Sequence, residues 1–434
     1  MRLTLILILG CVLILDSAML GQLPFRQQLR TVERYEIALR PPQVTIDPWS
    51  GVTGIDQGDI FTWENGSVLG DVDGDGDLDM VRSFPTPAEP TRVAVYINDG
   101  SPDQWLTQPH TILTAGGTVQ RVALADVDGD RNLDVVVQGN FYGVGIFLNN
   151  GTQDPFLGVT GYQMAVGPTT PRMMVLGDVD GDDDVDLIMG FSGPEQLFLN
   201  NGTNSPFQGV QGVEITHDFW GAESMQLGDM DGDLDLDLVV LRRGPSCTMT
   251  VRWYENNGTG DPFAGVMGID ISRHADCSGD ILLGDVDGDR DLDLVVSPLS
   301  ADCLVVLNNG TQDPWYAAST QVIHSEGSLC IALGDVDSDG DLDLVSGFRV
   351  RQAPDEVHLY LNNGTAVPFD GVASITTAGT GEFPTVLLLG DLSGDGELDL
   401  AVGCFMGNSF VFVNNGTPTY WPLRPSPLAP VRRW

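Results

Sequence analysis

The residues best suited to chemistry in this chain are acids set two positions apart, and the same arrangement recurs seven times. The first run holds Asp71, Asp73, Asp75, Asp77 and Asp79, and the second holds Asp126, Asp128, Asp130, Asn132 and Asp134. Asp178, Asp180, Asp182, Asp184 and Asp186 form the third, and Asp229, Asp231, Asp233, Asp235 and Asp237 the fourth. Next come Asp285, Asp287, Asp289, Asp291 and Asp293, then Asp335, Asp337, Asp339, Asp341 and Asp343. The last run is Asp391, Ser393, Asp395, Glu397 and Asp399. These residues occupy places 1, 3, 5, 7 and 9 of a nine-residue loop. Carboxylates packed so densely repel one another unless a cation sits among them. Ca²⁺ takes six to eight oxygen ligands, and side chains at places 1, 3 and 5 with a backbone carbonyl at 7 form the first half of an EF-hand loop. Here an acid at place 9 would complete the cage locally. Mg²⁺ is less suited, because it resists dehydration and favours strict octahedral geometry. One such run is often only a solvated turn; seven in register point to as many as seven Ca²⁺ ions. Ser393 makes the seventh loop the weakest.

The elements that would carry these loops follow from the spacing. First acids lie 50 to 56 residues apart, the length of one supersecondary repeat. Short apolar runs flank each loop, as in Val122 to Leu124 before the second and Val135 to Val137 after it. A third run ends in an Asn-Gly turn, as at Leu148 to Thr152, which reads as a type I′ hairpin turn with positive φ at both central residues. A fourth segment begins Asp-Pro-Phe or similar. Four strands per repeat make a propeller blade, so the expected fold is all-β, a seven-bladed propeller of four-stranded blades. The fourth-strand pattern also appears at 47–54, ahead of the first loop. Residues near 47 to 56 are therefore expected to supply the outer strand of the seventh blade and close the ring.

Charge agrees with this layout. The 434-residue chain has a formal net charge of -41. Its seven loops hold 34 acids and two Arg, so they carry most of the excess. With 42% hydrophobic residues the chain is no acidic disordered protein. It contains no Lys and no basic patch, which argues against a nucleic-acid partner.

The repeated loops resemble those of the FG-GAP or VCBS repeat proteins, whose β-propellers include the head of integrin alpha subunits; the likeness covers roughly residues 47 to 420. The resemblance implies Ca²⁺ in the hairpin between the first and second strands of a blade, held by Asp71, Asp73, Asp75, Asp79 and their counterparts. It also implies ligands on the opposite face. The connections there carry Phe141, Tyr142, His217, Phe219, Trp220, Arg242, Arg243, Arg349, Arg351, Phe405 and Met406. Aromatics and Arg on loops are frequent binding anchors.

At the N-terminus Arg2 precedes an apolar run from Leu3 to Leu15, the order of a secretory signal peptide over residues 1–21. A segment at 22–46 and a tail at 421–434 flank the propeller. The expected location is secreted or cell-surface, with membrane contact only through an uncleaved N-terminal anchor. Cys247 with Cys277 and Cys303 with Cys330 are candidate disulfides, five buried thiols being the alternative. Six Asn-Gly-Thr sequons, at Asn150, Asn201, Asn257, Asn309, Asn363 and Asn415, share one turn, so turn geometry accounts for them; Asn65 begins a seventh formal sequon. Nucleophile-elbow, zinc-protease and phosphate-loop motifs do not occur, and the five His are scattered. The reading is a non-enzymatic adhesion or recognition module for an extracellular protein or glycan ligand. A glycan-active lyase or hydrolase on a propeller and a structural surface component are the alternatives.

Overall fold

The computed structural model describes residues 3–8, 11–16, 55–59, 66–83, 91–100, 109–139, 143–164, 166, 170–218, 220–274, 276, 278–323, 327–348, 356–379, 383–405, 408–414 and 416. Two compact units are distinguished, residues 1–44 and 45–434. In the first, Leu3–Ile8 and Cys11–Asp16, the run read as an export signal, pair as an antiparallel hairpin. No helix among the described residues is long and apolar enough to cross a membrane.

The second unit is a ring of seven four-stranded antiparallel sheets, each a simple meander in six of the seven blades. Blade 1 comprises Ser67–Gly70, Asp79–Ser83, Arg92–Tyr96 and Thr111–Thr114. The first strands of blades 2 to 7 are Val119–Ala125, Met173–Gly177, Ala222–Gly228, Gly279–Gly284, Cys330–Gly334 and Phe383–Gly390. They surround a central cavity of about 270 Å³. Blade 7 takes its fourth strand from the other end of the unit: Ile55–Asp59 pairs with Asn408–Phe412, setting Ile55 opposite Val411. The pairing thus begins on the last two residues of the 47–56 window and runs three residues beyond it; residues 47–54 lie outside the described ones.

Each blade buries both faces against its neighbours. The second strands Asp134–Gly139 and Asp293–Pro298 are buried at every residue, which is why their centres read as unbroken apolar runs rather than alternating ones. Val81, Val93 and Val95 of blade 1 pack with Val122, Val135 and Val137 of blade 2, and the ring ends with Met80 and Tyr96 of blade 1 against Leu392 and Val411 of blade 7.

A glycine just before most acidic loops admits the next blade. A Cβ on Gly177 would come within 2.9 Å of the methyls of both Leu227 and Leu236. The one repeat with alanine there, at Ala125, faces Val185, the one valine at place 8. The added methyl on one blade is matched by the one removed from the next.

Candidate metal centres

Every acidic loop joins the first and second strands of its blade, and its ninth residue starts the second strand, paired with the residue before the loop, as Asp79 is with Gly70. That ninth aspartate is buried in all seven blades. In blade 1 its Oδ2 accepts from the Val72 amide at 2.8 Å and its Oδ1 from the Asn98 amide at 2.7 Å. The same two bonds recur at Asp134, Asp186, Asp237, Asp293, Asp343 and Asp399. Burial pushes the carboxyls of Asp79, Asp134, Asp186, Asp237 and Asp293 up to about 7 despite these bonds, with nearby loop acids adding to the rise. Asp343 reaches about 8 and Asp399 about 6 for the same reason.

The first aspartate shapes the loop. Asp391 accepts from Gly394 N at 2.7 Å through Oδ1 and from Gly396 N at 2.8 Å through Oδ2. Wrapping amides around one carboxylate turns the backbone left-handed at places 4 and 6 in all seven loops. Glycine occupies place 6 in only three of them; Arg131, Asp183, Leu234 and Arg290 hold positive φ there against the usual steric cost. The fifth residue accepts from the amide at place 7, as Asp75 does from Asp77 at 2.9 Å.

Ligand oxygens converge accordingly. Asp71, Asp73 and Asp79 each place one within 4.8 Å of the others, as do Asp126, Asp128 and Asp134, and Asp178, Asp180 and Asp186. In blades 4 and 5 the groups are Asp229, Asp231 and Asp233, and Asp285, Asp287 and Asp289. The donor set fits a hard cation on a further observation: Asp180 Oδ1, Asp337 Oδ1 and Ser393 Oγ, all at place 3, are buried without a hydrogen-bond partner. Burial and the neighbouring carboxylates push Asp231 and Asp337 up to about 6, the mark of negative charge gathered without compensation.

Place 7 behaves differently. A Cβ on Gly100 would lie 2.9 Å from Asp77 Oδ2, and one on Gly202 would lie 2.8 Å from Asp184 Oδ2. These side chains rest against the glycine of the outer turn, and Asn132 sits likewise beside Gly151. None enters the five groups above.

Sequence reasoning missed a bridging asparagine that immediately precedes the Asn-Gly-Thr sequon in six blades. Asn149 Nδ2 donates to Leu133 O at 3.1 Å in its own loop and to Val72 O at 2.7 Å in the preceding blade. Asn98, Asn200, Asn256, Asn308, Asn362 and Asn414 repeat this bridge. Its signal was the doubled Asn in the repeated turn. The turn itself is not type I′, since only its glycine, such as Gly151, has positive φ. The sequon side chain closes it: Asn150 Oδ1 accepts from the Thr152 hydroxyl at 2.6 Å and Nδ2 donates to Asp154 O at 2.8 Å.

The connections at the other ends of the first strands are only partly described. Phe141, Tyr142, Phe219, Arg349, Arg351 and Met406 lie outside the described residues, as does the Phe405 side chain. His217 and Trp220 are exposed. Arg242 is not a surface anchor as expected, being only 2% exposed. It bonds to Glu195 of blade 3, donates to Trp220 O at 2.9 Å and to Tyr254 Oη at 2.9 Å, and lies 3.3 Å from Asp218. Burial would raise Asp218, but Tyr254, Arg242 and Arg252 together hold it below the usual carboxylate range. Cys303 and Cys330 are not disulfide-bonded to each other; both are buried thiols, as is Cys404. Cys247 is in a disulfide, and Cys277 lies outside the described residues.

A ring of seven blades with an aspartate loop in each first hairpin defines a β-propeller built from acidic-loop repeats. Residues 71–137, 178–240 and 335–402 match the FG-GAP-like repeat, each stretch running from one acidic loop into the second strand of the next blade. The chain is thus a seven-bladed β-propeller that carries three matches to the FG-GAP-like repeat. No curated protein matches the chain. Among solved structures it is similar to BBS1N in complex with ARL6DN, in a crystal soaked with lead, at 11% identity and a TM-score of 0.54, covering 82% of this chain and 94% of that one. The same complex soaked with mercury gives 12% identity and a TM-score of 0.52, covering 83% and 97%. At such identities the likeness is one of fold.

Proposed function

We propose that this protein is an exported, calcium-stabilised propeller serving as a non-enzymatic recognition module. The observation that carries calcium is the buried, unpartnered oxygen at place 3 in three different loops, one of them, at Asp180, within a carboxylate group already spaced for one cation. Bound Ca²⁺ would supply the positive charge that allows the ninth aspartates to stay ionised in a buried setting. Places 1, 3, 5 and 9 would hold it, with a backbone carbonyl at place 7. Oxygen-only ligands and millimolar extracellular calcium suit each other, since extracellular modules of this kind bind at roughly 10⁻⁴ to 10⁻³ M.

Recognition is supported by the opposite end of blade 4. The buried Arg242 holds the carbonyl of Trp220, so an exposed indole stands on a fixed loop. Rigid aromatics lose little entropy when they bind a protein or glycan surface. The similar solved structure, BBS1N, is itself seen in complex with ARL6DN. Calorimetric Ca²⁺ titration with thermal melts tests the metal reading, because a ligand of the folded state alone must raise the melting point. No shift at millimolar Ca²⁺ would defeat it. A panel of extracellular proteins and glycans screened against wild type and Trp220→Ala tests the second part. The expected result is at least one ligand whose binding the variant loses.

A further inference from the structure

We propose that a single small monovalent anion, chloride in solution, binds at the seam between blades 7 and 1 on the guanidinium of Arg82. Arg82 is 3% exposed. Among the described residues its one hydrogen bond runs from Nη2 to Tyr96 Oη at 2.6 Å, and the guanidinium lies 4.4 Å from the centre of that ring. Nε is buried with no partner among the described residues. A guanidinium cannot shed its proton, so its burial calls for a counter-charge, and none of the described residues supplies one. Burial lowers the pKa of Arg82 and only Tyr96 opposes the effect.

The ring supplies its own comparison. Arg242 stands on Tyr254, the counterpart of Tyr96 two residues before the bridging asparagine, but there Glu195 and Asp218 complete the charge. At the blade 7 and blade 1 seam Arg82 instead lines a cavity of about 20 Å³ together with Ser67, Ser409, Met80, Ala401 and Phe410. Such a volume admits about one water-sized species. Ser409 Oγ is also buried without a partner. One cation, nearby hydroxyl donors and apolar walls select a compact single charge over a phosphate or sulfate, whose remaining charge and oxygens would find no donors. The anion would hold together the seam at which the two ends of the propeller meet.

The test uses the full chain in saturating Ca²⁺ at fixed ionic strength, with chloride compared against isethionate, a monovalent anion too large for the cavity. Chloride should raise the melting temperature of wild type by about 2 to 4 °C. Arg82→Met should abolish that difference, while Arg242→Met, however destabilised, should keep it. Equal melting points in the two salts, or the same shift in Arg82→Met, would overturn the proposal. Crystals of wild type grown in bromide need no variant to fold. One anomalous peak within hydrogen-bonding reach of Arg82 Nε is expected. A carboxylate of the chain on Nε, or no peak, would refute it.

Discussion

Asn98 Nδ2 donates to the carbonyl oxygen of Leu392 at 3.2 Å, joining residues 294 positions apart across the seam of the ring. The same amide holds Leu78 O at 3.3 Å, so one side chain ties the acidic loop of blade 1 to that of blade 7. Asn98→Ala should leave both carbonyls poorly satisfied and cost about 1 to 3 kcal/mol. Asn200→Ala, the same change away from the seam, should cost a similar amount. Urea denaturation of the two variants checks this, and a loss under a few tenths of a kcal/mol would show that the bridge is redundant.

The ninth and seventh loop places make different predictions. Asp237→Asn removes a buried carboxylate and puts an NH₂ where one of two backbone amides already donates. Calorimetry should register one Ca²⁺ fewer than wild type. Asp235→Asn changes a side chain resting on Gly258 and should leave the stoichiometry intact.

Acidity should act on the metal-free protein in the reverse of the usual sense. The ninth aspartates have folded-state values of about 6 to 8 against 3.8 for an unperturbed aspartate, because burial penalises their charge. The folded chain then binds more protons than the unfolded one, so their stabilising contribution is full below about pH 4 and is lost as pH rises through 6 to 8. In EDTA the melting point should fall from pH 5 to pH 8. With millimolar Ca²⁺ the ion competes with those protons, so the calcium-induced rise in melting point should be greater at pH 8. A metal-free melting point that climbs over this range would contradict the assignment of these groups.

Blade spacing can be tested by exchanging the pair that blades 2 and 3 already exchange. Gly177→Ala should overpack against Leu227 and Leu236 and cost about 1 to 3 kcal/mol. Leu236→Val, which imitates Val185, should cost less in that background than in wild type. A double-mutant cycle with no coupling would show that the two sites are independent.

Glu195 and Arg242 form a buried ion pair that spans blades 3 and 4. Glu195→Gln leaves the guanidinium with less charge compensation, and a loss of about 3 to 5 kcal/mol is the usual result of breaking such a pair. Denaturation monitored by Trp fluorescence measures it.

Much of this molecule is legible in its sequence because the repeat forces local agreement. An apolar run, an acidic nine-residue loop, a second apolar run and an Asn-Gly turn specify hairpins through contacts between residues close in the chain. Seven copies then specify how many sheets there are. The convergence of Asp71, Asp73 and Asp79 follows from the same short range, since a tight loop brings alternate side chains to one point.

What only the tertiary structure decided depends on neighbours far apart in the chain. Whether Arg242 is an exposed anchor or a buried ion pair turned on Glu195, 47 residues away. Asn98 acquires its bridging role only because blade 7 comes round to meet it. The sequence by itself determined the blades and their acidic loops, because short-range geometry and periodic burial are written into residue type and spacing. The tertiary structure decided which polar groups lost their water when the ring closed, because desolvation is set by what packs alongside, and that belongs to no single repeat.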